Sequence, residues 1–99
     1  MAFNILVSDN ADNDIQLAYL YYLNTKKSPQ SANNFYDELL NDFNAITLNP
    51  FYKIYHKNYR GFPMKKFPYI IFLEIDNALN NVNILSVFNT YQSTDKYPL

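Results

Sequence analysis

Tyr69-Ile70-Ile71-Phe72-Leu73-Glu74-Ile75 is the stretch on which the reading of this 99-residue chain turns. Aromatic and β-branched side chains dominate it and neither glycine nor proline interrupts it, which is the composition of a β-strand. Two further stretches of that kind flank it, residues 59–64 and 82–88. They are set apart from it by Lys65-Lys66-Phe67-Pro68 on one side and by Asp76-Asn77-Ala78-Leu79-Asn80-Asn81 on the other. Connections this short and this rich in turn-forming residues make a three-strand meander. Pro63 has no N–H for a ladder, so the first of the three is expected to be an edge or locally irregular. Residues 51–58 carry no clear pattern, and the polar segment from Tyr91 to Leu99 reads as an extended tail.

Working back toward the N-terminus, the period changes. Ala32, Phe35, Tyr36, Leu39, Phe43 and Ile46 recur at three and four, the spacing of one helix face. Ser28 is a suitable N-cap and Pro29 suits the first helical position, where its missing N–H costs nothing. Asn49-Pro50 ends the helix, because the residue before proline avoids the α region. Upstream, Ala11, Ile15, Ala18, Tyr19 and Tyr22 define another apolar stripe. Ser8 caps that helix, with Asp9 and Asp12 at the favourable end of its dipole and Lys26 and Lys27 at the other. Residues 3–7 form a short β-prone run ahead of it. The spacing therefore predicts helices over 9–26 and 28–48, joined by a turn so short that they pack as an antiparallel hairpin. The expected fold is α+β in the order β-α-α-β-β-β, with the hairpin on one face of a small antiparallel sheet and one domain over residues 1–99.

Composition narrows the function classes. The chain is 48% hydrophobic and 17% charged, with ten Tyr and eight Phe, which excludes a disordered chain. It has no cysteine, so disulfides, thiolate metal sites and thiol nucleophiles are excluded, in keeping with a reducing cytoplasm. No stretch approaches the roughly 20 apolar residues of a membrane span, and the start lacks a basic segment followed by a long apolar one. A soluble, intracellular protein without membrane contact is expected. Gly61 is the single glycine, which rules out a glycine-rich phosphate loop. Net charge is −1, but it is unevenly spread. Lys53, Lys57, Arg60, Lys65 and Lys66 follow one another with no acid between them, so one side of the fold is expected to carry positive potential.

Taken in order, Asp14-Ile15, Ala18 and Tyr21-Tyr22, then Ala32 and Phe35, Asn49-Pro50, Tyr59-Arg60, Lys66-Phe67-Pro68-Tyr69 and Val87-Phe88 resemble the landmarks of the RelE/ParE toxin superfamily, ParE-like plasmid stabilisation proteins in particular. The resemblance runs over nearly the whole chain. It implies a cytoplasmic toxin of a type II toxin–antitoxin pair, held in a hetero-oligomer by a cognate antitoxin whose segment wraps it. It also implies one of two mechanisms, binding of a cellular target such as DNA gyrase in ParE-like members, or mRNA cleavage on the ribosome in RelE-like members. Neither requires a cofactor or a metal.

Metal-free RNA cleavage needs a base for the 2′-hydroxyl, cations for the phosphate and an acid for the leaving oxygen. His56 is the candidate base or acid, Arg60, Lys65 and Lys66 the candidate phosphate ligands, and Tyr91 the candidate proton donor. Each has a plainer reading: His56 as a packing or surface residue, Lys65-Lys66 as a solvated turn, Arg60 as the partner of Glu74 across neighbouring strands. Asn89, where several nuclease members carry a histidine or an aromatic, has no proton to exchange near neutral pH. The resemblance and the scarcity of proton-transfer groups favour the ParE-like binding mechanism, with the endonuclease as the enzymatic alternative and a non-toxic interaction domain as a third. Arg60, Lys65, Lys66 and Tyr91 are then expected to contact the antitoxin or target. Eighteen aromatics exceed what such a core buries, so some should line an apolar groove open to a partner segment. Asp9, Asp12 and Asp14 are read as residues of a helix start rather than as metal ligands.

Overall fold

The computed structural model of the chain describes residues 2–98. Strand β1 (Asn4–Val7) leads into helix α1 (Asp9–Leu20), which passes into a π-helical turn (Tyr21–Thr25) before helix α2 (Pro29–Leu48). Four strands follow, β2 (Ile54–His56), β3 (Tyr59–Pro63), β4 (Tyr69–Asp76) and β5 (Asn81–Asn89), and a short 3₁₀ turn (Thr94–Lys96) near the end. The sheet order is β1-β5-β4-β3-β2. The α+β architecture, with two helices on one face of a sheet, is the one the periodicities predict.

The helix starts behave as expected. Ser8 Oγ accepts from the Ala11 N–H at 3.1 Å and Ser28 Oγ from the Ser31 N–H at 3.1 Å, with Pro29 opening α2. The hairpin turn holds a surprise. The Lys26 N–H reaches back five residues to the Tyr21 carbonyl, and Lys27 takes a left-handed conformation with φ 51°. Widening the last turn in this way ends α1 at Leu20 rather than carrying it to Lys26. Without a glycine at that corner, a lysine bears the cost of about 1–2 kcal/mol of the left-handed state.

Two features depart from the sequence reading. The sheet is mixed, because β1 pairs parallel with β5 from Asn4 opposite Asn81 to Val7 opposite Ile84. The strands of the meander alternate in direction, and β3 has its outer side taken by β2. β1 takes the outer edge of β5 and runs in its direction. The second departure is β2, a three-residue strand in the stretch without a clear pattern, which makes the order β-α-α-β-β-β-β. It covers only the first part of β3, pairing Ile54 with Arg60 and His56 with Tyr59. Pro63 lies beyond it with one neighbour only, where a missing N–H is harmless.

The sheet has two unlike faces. Against the helices, Ile71, Leu73, Val82 and Ile84 pack with Ala11, Ile15, Phe35, Leu39 and Ile46 in the main core. On the other face Ile70, Phe72 and Phe88 make a second cluster, roofed by Tyr55, Leu85 and Tyr97. Tyr97 belongs to the tail expected to be extended. Its ring lies 5.0 Å from both Phe72 and Phe88 and 5.9 Å from Tyr55, and it brings the tail back over the sheet. Gly61 sits directly under the Tyr55 ring, where any Cβ would collide with it.

Candidate partner-binding surface

Three surfaces combine exposure with chemistry, and they are built by different elements. The first is the outer groove of the helical hairpin. Ile15, Tyr19, Leu20 and Tyr36, with Gln16 and Asn33, enclose about 430 Å³ of mostly apolar lining. The Tyr19 hydroxyl donates to Asn33 Oδ1 at 3.4 Å and ties the helices together across the floor. Leu17, Leu20, Tyr36 and Leu40 remain between 45% and 59% exposed nearby, more apolar surface than two solvated helices require. Two of the eighteen aromatics, Tyr19 and Tyr36, line this groove.

The second is a polar cleft of about 380 Å³ between α1, the end of β5 and the returning tail, lined by Asn10, Asn13, Asp14, Asn89, Gln92 and Lys96 among others. Asp14 lines it, and its role goes beyond that of an acid at a helix start. Its Oδ2 accepts from Ser86 Oγ at 2.7 Å and from the Val87 N–H at 3.1 Å. β1 stops at Val7, so β5 beyond Ile84 has no neighbour on that side. Side chains from α1 and its cap take over: Ser8 Oγ donates to the Leu85 carbonyl at 3.1 Å and Asp14 satisfies Val87. The signal for this in the sequence is an acid set within the apolar stripe, between Ala11 and Ala18. Tyr69 lines the same cleft, and burial pushes its hydroxyl well above the usual phenol range.

The third is the small pocket around Arg60, about 250 Å³, bounded by Phe51, Ile54, Asn58, Ile75 and Asn77. Register places Tyr59 opposite Glu74 and Arg60 opposite Leu73, so Arg60 and Glu74 lie on different faces of the sheet. The expected ion pair does not form. Arg60 turns toward the helix side, donates from Nη1 to the Tyr52 carbonyl at 2.9 Å and lies over the Phe51 ring at 5.4 Å.

The remaining candidates fall elsewhere. His56 ends β2 opposite Tyr59 and is exposed. Lys65 and Lys66 occupy the β3–β4 turn at the other end of the sheet, and Lys66 Nζ stands 3.7 Å from Glu38 Oε2 of α2. Asp42, one turn further along α2, has a buried Oδ2 without a hydrogen-bond partner. Burial first, then the nearby Glu38, raise its pKa to about 6, with Lys65 acting against them. The basic stretch is thus met at this end by helix acids. Tyr91 is 86% exposed just past β5, its N–H donating to Asn89 Oδ1 at 2.9 Å. His56 aligns with the Glu74 level of β4, and Tyr91 lies past the Tyr69 level. Five strand residues separate those levels, roughly 16 Å at about 3.3 Å each. Sequence proximity suggested one constellation, and the fold distributes it over two ends. Among the described residues no three His, Cys, Asp or Glu side chains gather where a metal ion could be held, and no helix is long and apolar enough to cross a membrane.

This combination of helical hairpin and mixed five-strand sheet is a fold shared with chains of solved toxin–antitoxin systems. The chain superposes on a chain of the chromosomal ParDE toxin–antitoxin system from P. aeruginosa with a TM-score of 0.75 and 12% identity, covering 89% of this chain and 96% of that one. It also matches the RelBE2 toxin–antitoxin complex from Mycobacterium tuberculosis, with a TM-score of 0.63 and 15% identity, over 90% of this chain and 99% of that one. No protein-family model and no curated protein sequence matches the chain, so the likeness is one of fold.

Proposed function

We propose that this protein is the toxin of a type II toxin–antitoxin pair, ParE-like, acting by binding a cellular target such as DNA gyrase and neutralised by a cognate antitoxin. The observation that carries the reading is the agreement of fold with a ParDE chain over nearly the full length of both. The apolar groove between α1 and α2 supports it, because an amphipathic antitoxin helix could lay its apolar face there. Arg60, Lys65, Lys66 and Tyr91 remain the residues proposed to meet the antitoxin or target.

The RelE-like alternative, an mRNA endonuclease, draws support from the likeness to the RelBE2 complex. Against it stands the separation of His56 from Tyr91, since a general acid and base must both reach one phosphodiester within hydrogen-bond distance. Growth tests the toxin reading as a whole. Induction of the chain in a bacterial host is expected to arrest growth, and co-expression of a cognate antitoxin to restore it. Unimpaired growth on induction of the folded protein would remove the toxin reading and leave an interaction domain.

A further inference from the structure

Among the described residues, Arg60 is the basic side chain whose charged head donates a hydrogen bond, to the Tyr52 carbonyl. It is half-buried, pinned by Tyr52 and stacked on Phe51, yet among the described residues the one ion pair is that of Lys66 with Glu38. A guanidinium has five N–H donors in a rigid fork, and one hydrogen bond accounts for it here. Partial burial of a cation without a counter-charge is costly unless something supplies the charge. The pocket into which it opens adds amide groups from Asn58 and Asn77 and apolar walls from Phe51, Ile54 and Ile75.

We propose that the Arg60 pocket is a receptor for one carboxylate, an Asp or Glu side chain with an apolar neighbour on an extended partner segment. It rests on the reading of the chain as a partner-bound toxin and specifies the chemistry of that contact. The fork takes the carboxylate in two parallel N–H···O bonds, the asparagine amides donate to its remaining lone pairs, and Phe51 and Ile54, both more than half exposed, hold the apolar neighbour. A nucleic-acid backbone fits less well, because it needs a row of cations. This pocket offers one.

The test uses the intact ¹⁵N-labelled chain and three probes: the peptide acetyl-Leu-Glu-Phe-amide, the same peptide with glutamine for glutamate, and a ten-residue oligouridylate. The glutamate peptide is expected to move the Arg60 Nε–H and the Asn77 side-chain resonances. The glutamine peptide should bind about tenfold more weakly, and Arg60→Lys should cost about as much by losing the fork. Because Arg60 also ties down Tyr52, Asn77→Asp serves as a second variant. It leaves Arg60 in place and supplies an internal carboxylate, and it is expected to abolish peptide binding. Equal binding of the two peptides, unmoved Arg60 resonances at saturation, or displacement by oligouridylate would overturn the proposal. Growth arrest and its rescue test the toxin reading separately, so failure of one is distinguishable from failure of the other.

Discussion

The two faces of the sheet are both apolar and are closed in different ways. The helix-covered face is roofed by residues of two long helices, and Phe35, Leu39, Ile46, Ile71, Leu73, Val82 and Ile84 are all at most 1% exposed. The opposite face is roofed by edge and tail, with Tyr55 from a three-residue strand and Tyr97 from a segment whose backbone bonds are local ones, Gln92 to Asn89 and Lys96 to Ser93. A face closed by regular elements shares its stability among many contacts. A face closed by single rings depends on each of them and can be opened at small cost.

That difference predicts a graded series. Phe35→Ala removes a fully buried ring that touches Tyr22, Phe67 and Tyr69, and should cost about 3–5 kcal/mol in denaturant unfolding. A loss below about 1 kcal/mol would mean that the helix-covered core is looser than described. Asp14→Ala strips the Ser86 hydroxyl and the Val87 N–H of their acceptor in a half-buried place, with an expected cost of about 1–3 kcal/mol. Its amide exchange at Val87 should quicken before that of Ile71, and equal exchange at both would argue against local protection of the β5 edge by α1.

Tyr97→Ala removes three ring pairs and the ring's partial burial, and should cost about 2 kcal/mol. Its main effect should be the uptake of a hydrophobic dye by the bared Phe72 and Phe88, with the helical signal intact. A further effect is one of pH. Asp42 has a folded pKa raised to about 6 from an unfolded value near 3.8, so the folded state binds its proton more tightly. The stability this contributes is complete below about pH 3.8 and is lost as pH rises to and through about 6. Asp42→Asn is expected to flatten that slope in unfolding midpoints measured between pH 4 and 7, and an unchanged slope would contradict it.

The sequence made the helix-covered side legible and the other side much less so, for a physical reason. Stripes such as Ala32, Phe35, Leu39 and Ile46 repeat the period of their element, and Ser8, Ser28, Pro29 and Pro50 mark its ends. Periodicity says nothing about Tyr97, one aromatic in a polar tail, or about Ile54-Tyr55-His56, too short to alternate. The parallel placement of β1 depends on which strand it joins, β5, a property of the assembled sheet. The site suffered similarly. Lys53 to Lys66 is one basic run along the chain, but strand direction carries Arg60 and Lys66 toward opposite ends, and α2 meets the second of them with Glu38. Asp14 was visible as a landmark while its partner Ser86 lay 72 residues away.

The proposed action by binding, as opposed to mRNA cleavage, is open to a paired assay on the purified chain. Supercoiling by DNA gyrase is measured beside cleavage of mRNA on translating ribosomes, for the unaltered chain and for His56→Ala and Arg60→Ala. Action by binding predicts loss of supercoiling activity that persists in His56→Ala and weakens in Arg60→Ala, with the mRNA left whole. Codon-phased mRNA cleavage that disappears when His56 or Tyr91 is changed, with supercoiling unaffected, would contradict it.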